Sequence, residues 1–277
     1  MTSDRSSGLR AMRVAGALVL SLAAWTGGFA QQSFVGFDKN GYPGDDLLPA
    51  LHQTFAFTGY WLNNPPGMQS NPWAGKRAAV RAAGFGFLVL FNGRLDAELK
   101  GGDAAALGRA DAQEAVAAAK REDFPAGAVI FLDQEEGGAL LPEQASYIGR
   151  WIEAIGKSQY RAGVYCSGVP VGKGGGGMST AQDIAHRFPA AKLWFWDDRC
   201  PPAPGCTILQ KKFSAAASDF PRALVWQYAK SPREPELTSG CAGYAADRQC
   251  YAPGLPQSAA SFVDMDWSSS PDPSRGR

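Results

Sequence analysis

Short apolar runs alternate with helix-patterned stretches along most of the chain. Such alternation is the signature of β/α units wound around a largely parallel sheet. The pattern predicts eight strands: Ser33–Phe37, Phe55–Tyr60, Phe85–Phe91, Ala128–Leu132, Arg161–Tyr165, Lys192–Trp196, Leu224–Tyr228 and Ser261–Asp266. Phe85–Phe91 is a continuous apolar run, as a strand covered on both faces must be. Asn71-Pro72 predicts a helix start, with Asn as cap and Pro at the first helical position, and Gly84 its stop. Asp111-Ala-Gln-Glu114 has the form of a capping box opening an Ala-rich helix. Pro142 opens a further helix whose Tyr147, Ile148, Trp151, Ile152 and Ile155 recur at helical spacing and face a core. Ser179 to Gln182 caps another. Beyond the sixth strand the helical pattern fades, and the Ser/Pro/Gly-rich stretch 268–277 reads as a disordered tail. The expected fold is α/β: a (β/α)8 TIM-like barrel with an incomplete helical coat, spanning residues 31–267.

The first thirty residues stand apart from this pattern. Arg5, Arg10 and Arg13 precede an apolar run, Val14 to Trp25, and Gly28-Phe29-Ala30 supplies small residues for cleavage after Ala30. The run is short for a membrane span, which needs ~20 apolar residues, so residues 1–30 read as a secretory signal; an uncleaved anchor is the alternative. The expected location is secreted or periplasmic, with no membrane association after cleavage and a monomeric mature chain.

The formal net charge is +1, and removing residues 1–30, with three Arg and one Asp, takes it to −1. A near-neutral chain without a basic stripe has no electrostatic bias toward nucleic acid. Cys166, Cys200, Cys206, Cys241 and Cys250 all lie in the mature part, and an oxidising compartment favours disulfides. Cys200 and Cys206 bracket one loop and Cys241 and Cys250 another, so local pairing is expected, with Cys166 a buried free thiol on a strand; the other connectivities stay open. No Cys-x-x-Cys occurs and only His52 and His186 are present, so no zinc site is indicated.

In a parallel barrel the active site lies at the carboxyl ends of the strands. Asp38, Asp133 with Glu135, Asp197 with Asp198, and Asp264 with Asp266 fall at predicted strand ends. The run Val129-Ile-Phe-Leu-Asp133-Gln-Glu135-Glu136 says most. Strand alternation points Asp133 and Glu135 one way and Glu136 the other. Two carboxylates on one side suit acid/base work at a glycosidic bond, because like charge and burial push one toward its neutral, proton-donating form. Alone, an acidic triplet is more often a surface pair or a cation site; the buried strand before it, with Asp38 and Asp266, favours the catalytic reading. Tyr60, Trp61, Trp194, Trp196, Trp226, Tyr228 and Trp267 fall near strand ends, and aromatic faces stack on sugar rings. Asn92, Asp197 and Gln227 supply hydrogen-bonding groups for hydroxyls. No Gly-x-Ser-x-Gly elbow occurs. Gly172-Lys173-Gly174 lacks phosphate-loop spacing and is followed by Gly rather than Ser/Thr, which makes it a loop.

Gly36-Phe37-Asp38, Phe131-Leu-Asp133-Gln-Glu135, Gly163-Val-Tyr-Cys-Ser167, Val225-Trp-Gln-Tyr228 and Val263-Asp-Met-Asp-Trp267 together resemble the glycoside-hydrolase-like domain known as domain of unknown function 1906. That domain is similar in fold to the family 25 lysozymes, which cleave peptidoglycan glycan strands. The resemblance spans Val35 to Trp267 and implies a barrel whose Asp38 matches the first-strand Asp of the lysozymes and whose Asp133 and Glu135 match their Asp-x-Glu pair, with Glu135 as proton donor. Asp266 resembles an acidic position near the last strand, and Asp264 competes for that match. The strand-six carboxylates and the long loops after strands six and seven depart from the lysozyme pattern, so the resemblance does not carry the substrate over.

These readings converge on an exported glycosidase acting on peptidoglycan or another polysaccharide without a cofactor. Its catalytic group would be Glu135, Asp133, Asp38 and Asp266, with Tyr60, Trp61, Asn92, Trp196, Asp197, Trp226, Gln227 and Tyr228 binding substrate. A non-catalytic glycan-binding barrel is the alternative, and a hydrolase using a hard cation at the Asp cluster a third reading.

Overall fold

The computed structural model describes residues 1–2, 33–172, 177–208, 220–238 and 240–277. The expected signal segment therefore lies, save its first two residues, outside the described residues. Gln31–Arg277 forms one compact unit. Its eight strands are β1 (Phe34–Asp38), β2 (Phe57–Trp61), β3 (Gly86–Asn92), β4 (Val129–Gln134), β5 (Arg161–Ser167), β6 (Lys192–Trp196), β7 (Val225–Ala229) and β8 (Asp264–Ser268). They close into a barrel in sequence order. The α/β barrel expected from the alternating pattern is thus the fold observed, with every predicted strand present and shifted by three residues at most.

One strand runs against the expectation of a parallel barrel. β8 is antiparallel to both β7 and β1, with Asp38 opposite Asp264 and Gly36 opposite Asp266. The start of β8, not its end, therefore meets the carboxyl ends of the other strands.

The described helices are α1 (Leu48–His52), α2 (Arg77–Ala82), α3 (Asp96–Leu99), α4 (Ala104–Arg121), α5 (Pro142–Gly156), α6 (Thr180–Arg187) and α7 (Pro235–Thr238). The coat is uneven, since α4 and α5 are long and most of the rest span about a turn. Pro142 opens α5, and Tyr147, Ile148, Trp151 and Ile155 are buried as their spacing predicts. Ser179 and Gln182 cap α6 reciprocally. Two helix starts differ from expectation. The Asn71 side chain accepts from the Trp73 N–H in a turn, and the helix begins only at Arg77. Asp103, not Asp111, caps α4 by accepting from the Ala106 N–H. Asp111 instead lies inside α4, buried, where it takes a bidentate Arg94 guanidinium (2.7 and 2.8 Å) and the Tyr147 hydroxyl (2.8 Å).

Aromatic residues fill the barrel interior because glycines opposite them leave room. A Cβ on Gly163 would stand 2.5 Å from the Phe131 ring, and Phe131 in turn meets Trp194 edge-on at 5.6 Å. At the rim a Cβ on Gly59 would stand 2.7 Å from that of Asp38, so Gly59 makes the space that Asp38 occupies.

The stretch 268–277 is not a disordered tail. Ser268 belongs to β8, and the residues after it pack between the first residues of β3 and β4. Ser274 takes the Val129 N–H (2.8 Å) and gives its own to Phe87 O (2.9 Å), while its hydroxyl accepts from the Val89 N–H (2.9 Å). Asp272 accepts from the Phe87 and Gly276 N–H groups (2.9 and 3.0 Å), and Arg77 donates to Gly276 O (2.7 Å). The composition that suggested disorder here supplies short side chains that satisfy strand-end donors.

Local disulfide pairing is also corrected. Cys200 bonds Cys241 and Cys206 bonds Cys250, with Cα–Cα distances of 5.3 and 5.5 Å, and Cys166 is the buried free thiol. Each bridge ties the β6–β7 loop to the β7–β8 loop. No described helix is long and apolar enough to cross a membrane.

Two stability tests follow from these contacts. Asp272→Ala leaves the Phe87 donor without its partner and is expected to lose about 1–3 kcal/mol in urea unfolding. Replacing Cys206 and Cys250 together by Ser opens a long loop and is expected to cost about 2–4 kcal/mol by the same measurement.

Candidate functional site

The carboxyl ends of β1–β7 and the amino end of β8 surround a cavity of about 300 Å³. Every strand or its exit contributes a side chain: Asp38, Trp61, Leu90, Asp133, Tyr165, Trp194, Lys230 and Asp264, in strand order. Glu135, just past β4, stands at the exposed edge. The alternation read from the sequence holds at β4. Asp133 and Glu135 line one cavity, while Glu136 turns away to accept from the Asp96 N–H (2.7 Å) and the Gln144 amide (2.6 Å).

The acids differ sharply in their surroundings. Asp133 is 4% exposed, and its Oδ1 has no partner among the described residues. Burial first, then the charges of Glu135 and Asp38, hold its carboxyl well above the usual range. Asp264 is likewise held well above it, by burial and then Asp38, although the Ser231 N–H donates to it (2.5 Å). Asp38 accepts from the Gln227 amide (2.7 Å), whose oxygen accepts from the Tyr165 hydroxyl (2.7 Å). Burial pushes Asp38 up to about 6, against the lowering contacts of Asp266, Gln227 and Lys230. Asp266 sits one pleat deeper, fully buried, and accepts from the Trp194 indole (3.0 Å). Burial, then Asp38, raises it well above its ordinary value.

Several expected binding residues point elsewhere. On β7 the side chain between Trp226 and Tyr228 is the one that faces inward. Trp226 packs parallel to Phe195 at 6.0 Å and donates to Asp197 O (2.9 Å), and the Tyr228 hydroxyl meets Thr207 O (3.1 Å). Tyr60 also lies outside the barrel, its hydroxyl on Glu122 (2.6 Å). These three are shell residues, because inward and outward positions differ by one residue in a strand. Asp197 is buried and bound by Arg199. Asp266 lies beneath the cavity rather than on it, and Asp264 takes the wall position. Trp61 and Glu135 do line the cavity, and Asn92 lines an adjoining depression of about 240 Å³ that shares Asp133 and Glu135 with it. Trp196 meets the site through Lys230, whose ammonium lies 4.3 Å from its ring centre.

Lys230 was not anticipated. It also reaches Glu234 (3.6 Å), and its charge lowers Asp38, Asp133, Asp198 and Asp264 alike. Its position directly after β7, on the same rim as the acids, was the available signal. Tyr165 was missed too, though it stands two residues from Gly163 on the inward face of β5. Among the described residues, no three His, Cys, Asp or Glu side chains converge to hold a metal ion.

The model of the Rv2525c-like, glycoside hydrolase-like domain matches residues 55–235. The chain belongs to that family. The matched segment holds Asp133, Glu135 and Lys230, whereas Asp38, Asp264 and Asp266 lie outside it. Among solved structures, an uncharacterized B. stearothermophilus protein is 19% identical with a TM-score of 0.55, over 84% of this chain and 94% of that one. The Clostridium perfringens spore cortex lytic enzyme SleM is 16% identical with a TM-score of 0.51, over 86% and 68%. The Mycobacterium tuberculosis Tat-secreted protein Rv2525c, in complex with L-tartrate, is 12% identical with a TM-score of 0.50, over 85% and 94%. At these identities the likeness is one of fold. No curated protein matches the chain significantly. The Rv2525c-like assignment agrees with the lysozyme-like resemblance seen in the sequence.

The raised carboxyls set a stability–pH relation. Folded Asp38 keeps its proton to about pH 6, whereas the unfolded chain loses it near 3.8. The folded state then binds more protons across that window, so stability falls as pH rises through it, by on the order of 2–3 kcal/mol for this group. Asp133, Asp264 and Asp266 act in the same direction and carry the loss to higher pH. The melting temperature is expected to fall between pH 4.5 and 7.5, and Asp133→Asn to raise it more at 7.5 than at 4.5. A flat profile, unchanged by that substitution, would contradict the buried-acid description.

Proposed function

We propose that this Rv2525c-like protein is an exported glycoside hydrolase that cleaves glycosidic bonds of peptidoglycan or another polysaccharide. The observation that carries the proposal is the pairing of buried Asp133 with exposed Glu135 in one cavity at the barrel mouth. A buried carboxyl retains a proton, and an exposed neighbour on the open side can meet a glycosidic oxygen.

In this reading Glu135 delivers the proton to the leaving oxygen as the bond from the anomeric carbon breaks. As Glu135 gives up its proton, it takes the one that burial holds on Asp133 in the empty site, while positive charge grows on the sugar. The resulting Asp133 carboxylate stabilises the oxocarbenium-like state, or orients a substrate acetamido group that attacks in its place. Asp38 holds the sugar, and burial beneath it keeps Asp266 toward its neutral form. Water then adds to the anomeric carbon and returns a proton to the Asp133–Glu135 pair, and these steps invoke no cofactor. Trp61 lines the cavity, with its indole N–H held by Lys39 O (3.2 Å). Export is supported by the signal-like pattern of residues 1–30 and by the two disulfides.

The test is release of reducing ends from peptidoglycan and a panel of polysaccharides by residues 31–277. Glu135→Gln is expected to fold normally and lose roughly 10²–10⁴-fold in rate. Undiminished release by that variant removes Glu135 from its role. Retention on a glycan column without any release favours a binding barrel over an enzyme.

A further inference from the structure

The β7–β8 loop builds a second cavity beside the acid site. It encloses about 260 Å³, lined by Lys39, Tyr42, Ala259, Ala260 and Phe262, and it shares Asn40, Ser231 and Asp264 with the carboxylate cavity. The depression near Asn92 adjoins on the β4 side, through Asp133 and Glu135. In a closed barrel of eight strands β4 and β8 stand on opposite sides. The acid pair therefore lies between two receptacles rather than in a blind hole.

The wall of this second cavity is fixed in advance. The Lys39 ammonium, almost wholly buried, donates to the carbonyls of Ala259, Ala260 and Phe262, each at 3.0 Å, and lies 4.7 Å from the Phe262 ring centre. An ammonium has three donors, so all are spent on the loop and none remains for a ligand. The Ser261 hydroxyl turns back onto Pro256 O (2.5 Å), and Ala252 N–H pairs with Ser261 O (2.8 Å). The Cys206–Cys250 bridge anchors the same loop. Across the cavity, Tyr42 is held by its hydroxyl on Asp45 (2.6 Å) and by Trp73 at 5.0 Å. Two half-buried aromatic side chains thus line a preformed space that also carries an amide and a carboxyl. That combination of apolar ring surface and few polar groups suits a pyranose, and a fixed wall spares the ordering penalty on binding.

We infer that this cavity is a sugar subsite, which takes the glycan residue next to the one held at Asp133 and Glu135. The substrate is then an oligosaccharide or polymer spanning both cavities. This inference rests on the glycoside hydrolase reading.

The experiment is calorimetric titration of the Glu135→Gln protein with N-acetylglucosamine oligomers of two to five units. The same series is run with Phe262→Ala, Phe262→Trp or Ala259→Arg added, each checked for unchanged melting. Affinity is expected to rise about tenfold with chain length, the scale of one aromatic contact. That increment should vanish in Phe262→Ala and in Ala259→Arg, whose side chain fills the cavity from an exposed position, and return in Phe262→Trp. An increment that is absent, or that survives both substitutions, overturns the subsite and leaves the glycan reading standing. No binding of any oligomer, with no reducing-end release from peptidoglycan by the unsubstituted chain, overturns both.

Discussion

Three buried aspartates, Asp38, Asp133 and Asp266, with half-buried Asp264 beside them at one end of the barrel, are the constraint around which the rest is arranged. Removing a carboxylate from water costs several kcal/mol unless it is protonated, hydrogen-bonded or paired. This protein uses all three remedies. Protonation serves Asp133, Asp264 and Asp266, whose carboxyls are held well above the ordinary range. Hydrogen bonds from Gln227 and Trp194 serve Asp38 and Asp266. Lys230 supplies the opposing charge from the exit of β7. Such an arrangement costs stability, and strongly shifted carboxyls gathered in one cavity are what a functional site characteristically contains.

The reversed strand makes the arrangement possible. Were β8 parallel, Asp264 would sit at the opposite end of the barrel from Asp38 and Asp133. Running antiparallel, it sets Asp264 beside Asp38 at the mouth and Asp266 one layer down, against the Trp194 indole. The reversal demands a connection from β7 that stays at the mouth, and that connection is the long loop bridged to the β6–β7 loop by both disulfides. The pairing follows from this geometry: the bridges join two loops that rise from neighbouring strands, instead of closing each loop on itself.

What was legible in the sequence was what depends on local pattern. Apolar runs and their spacing placed the strands, and the parity of Asp133 and Glu135 on β4 was readable because a strand alternates strictly. On β7 the same parity needed one more fact, which residue faces inward, and Trp226-Gln227-Tyr228 offers two aromatics against one amide. The amide won, because the interior there needs a partner for Asp38 and the shell needs cover against Phe195. Strand direction, disulfide pairing and the seating of 268–277 depend on contacts between distant segments, and no local pattern records them. Lys39 and Lys230 were hidden for a different reason. A lone lysine in sequence looks like solvated surface, and only the fold shows that one is nearly buried against three carbonyls and the other faces a ring of acids.

The family match divides the barrel mouth into a part inside the matched segment and a part outside it. Residues 55–235 carry the Asp133 and Glu135 pair and Lys230. The wall opposite β4 is built from outside that segment, by Lys39 and Tyr42 after β1 and by Ala259 to Phe262 before β8. A fold keeps its reaction where its strands fix the geometry and changes its ligand where loops are free to differ. In the proposed reading the proton transfer rests on Asp133 and Glu135, inside the segment that matches the Rv2525c-like family. In the same reading the Lys39-clamped wall sets which glycan fits, since a change of one loop alters that cavity and leaves the acids in place.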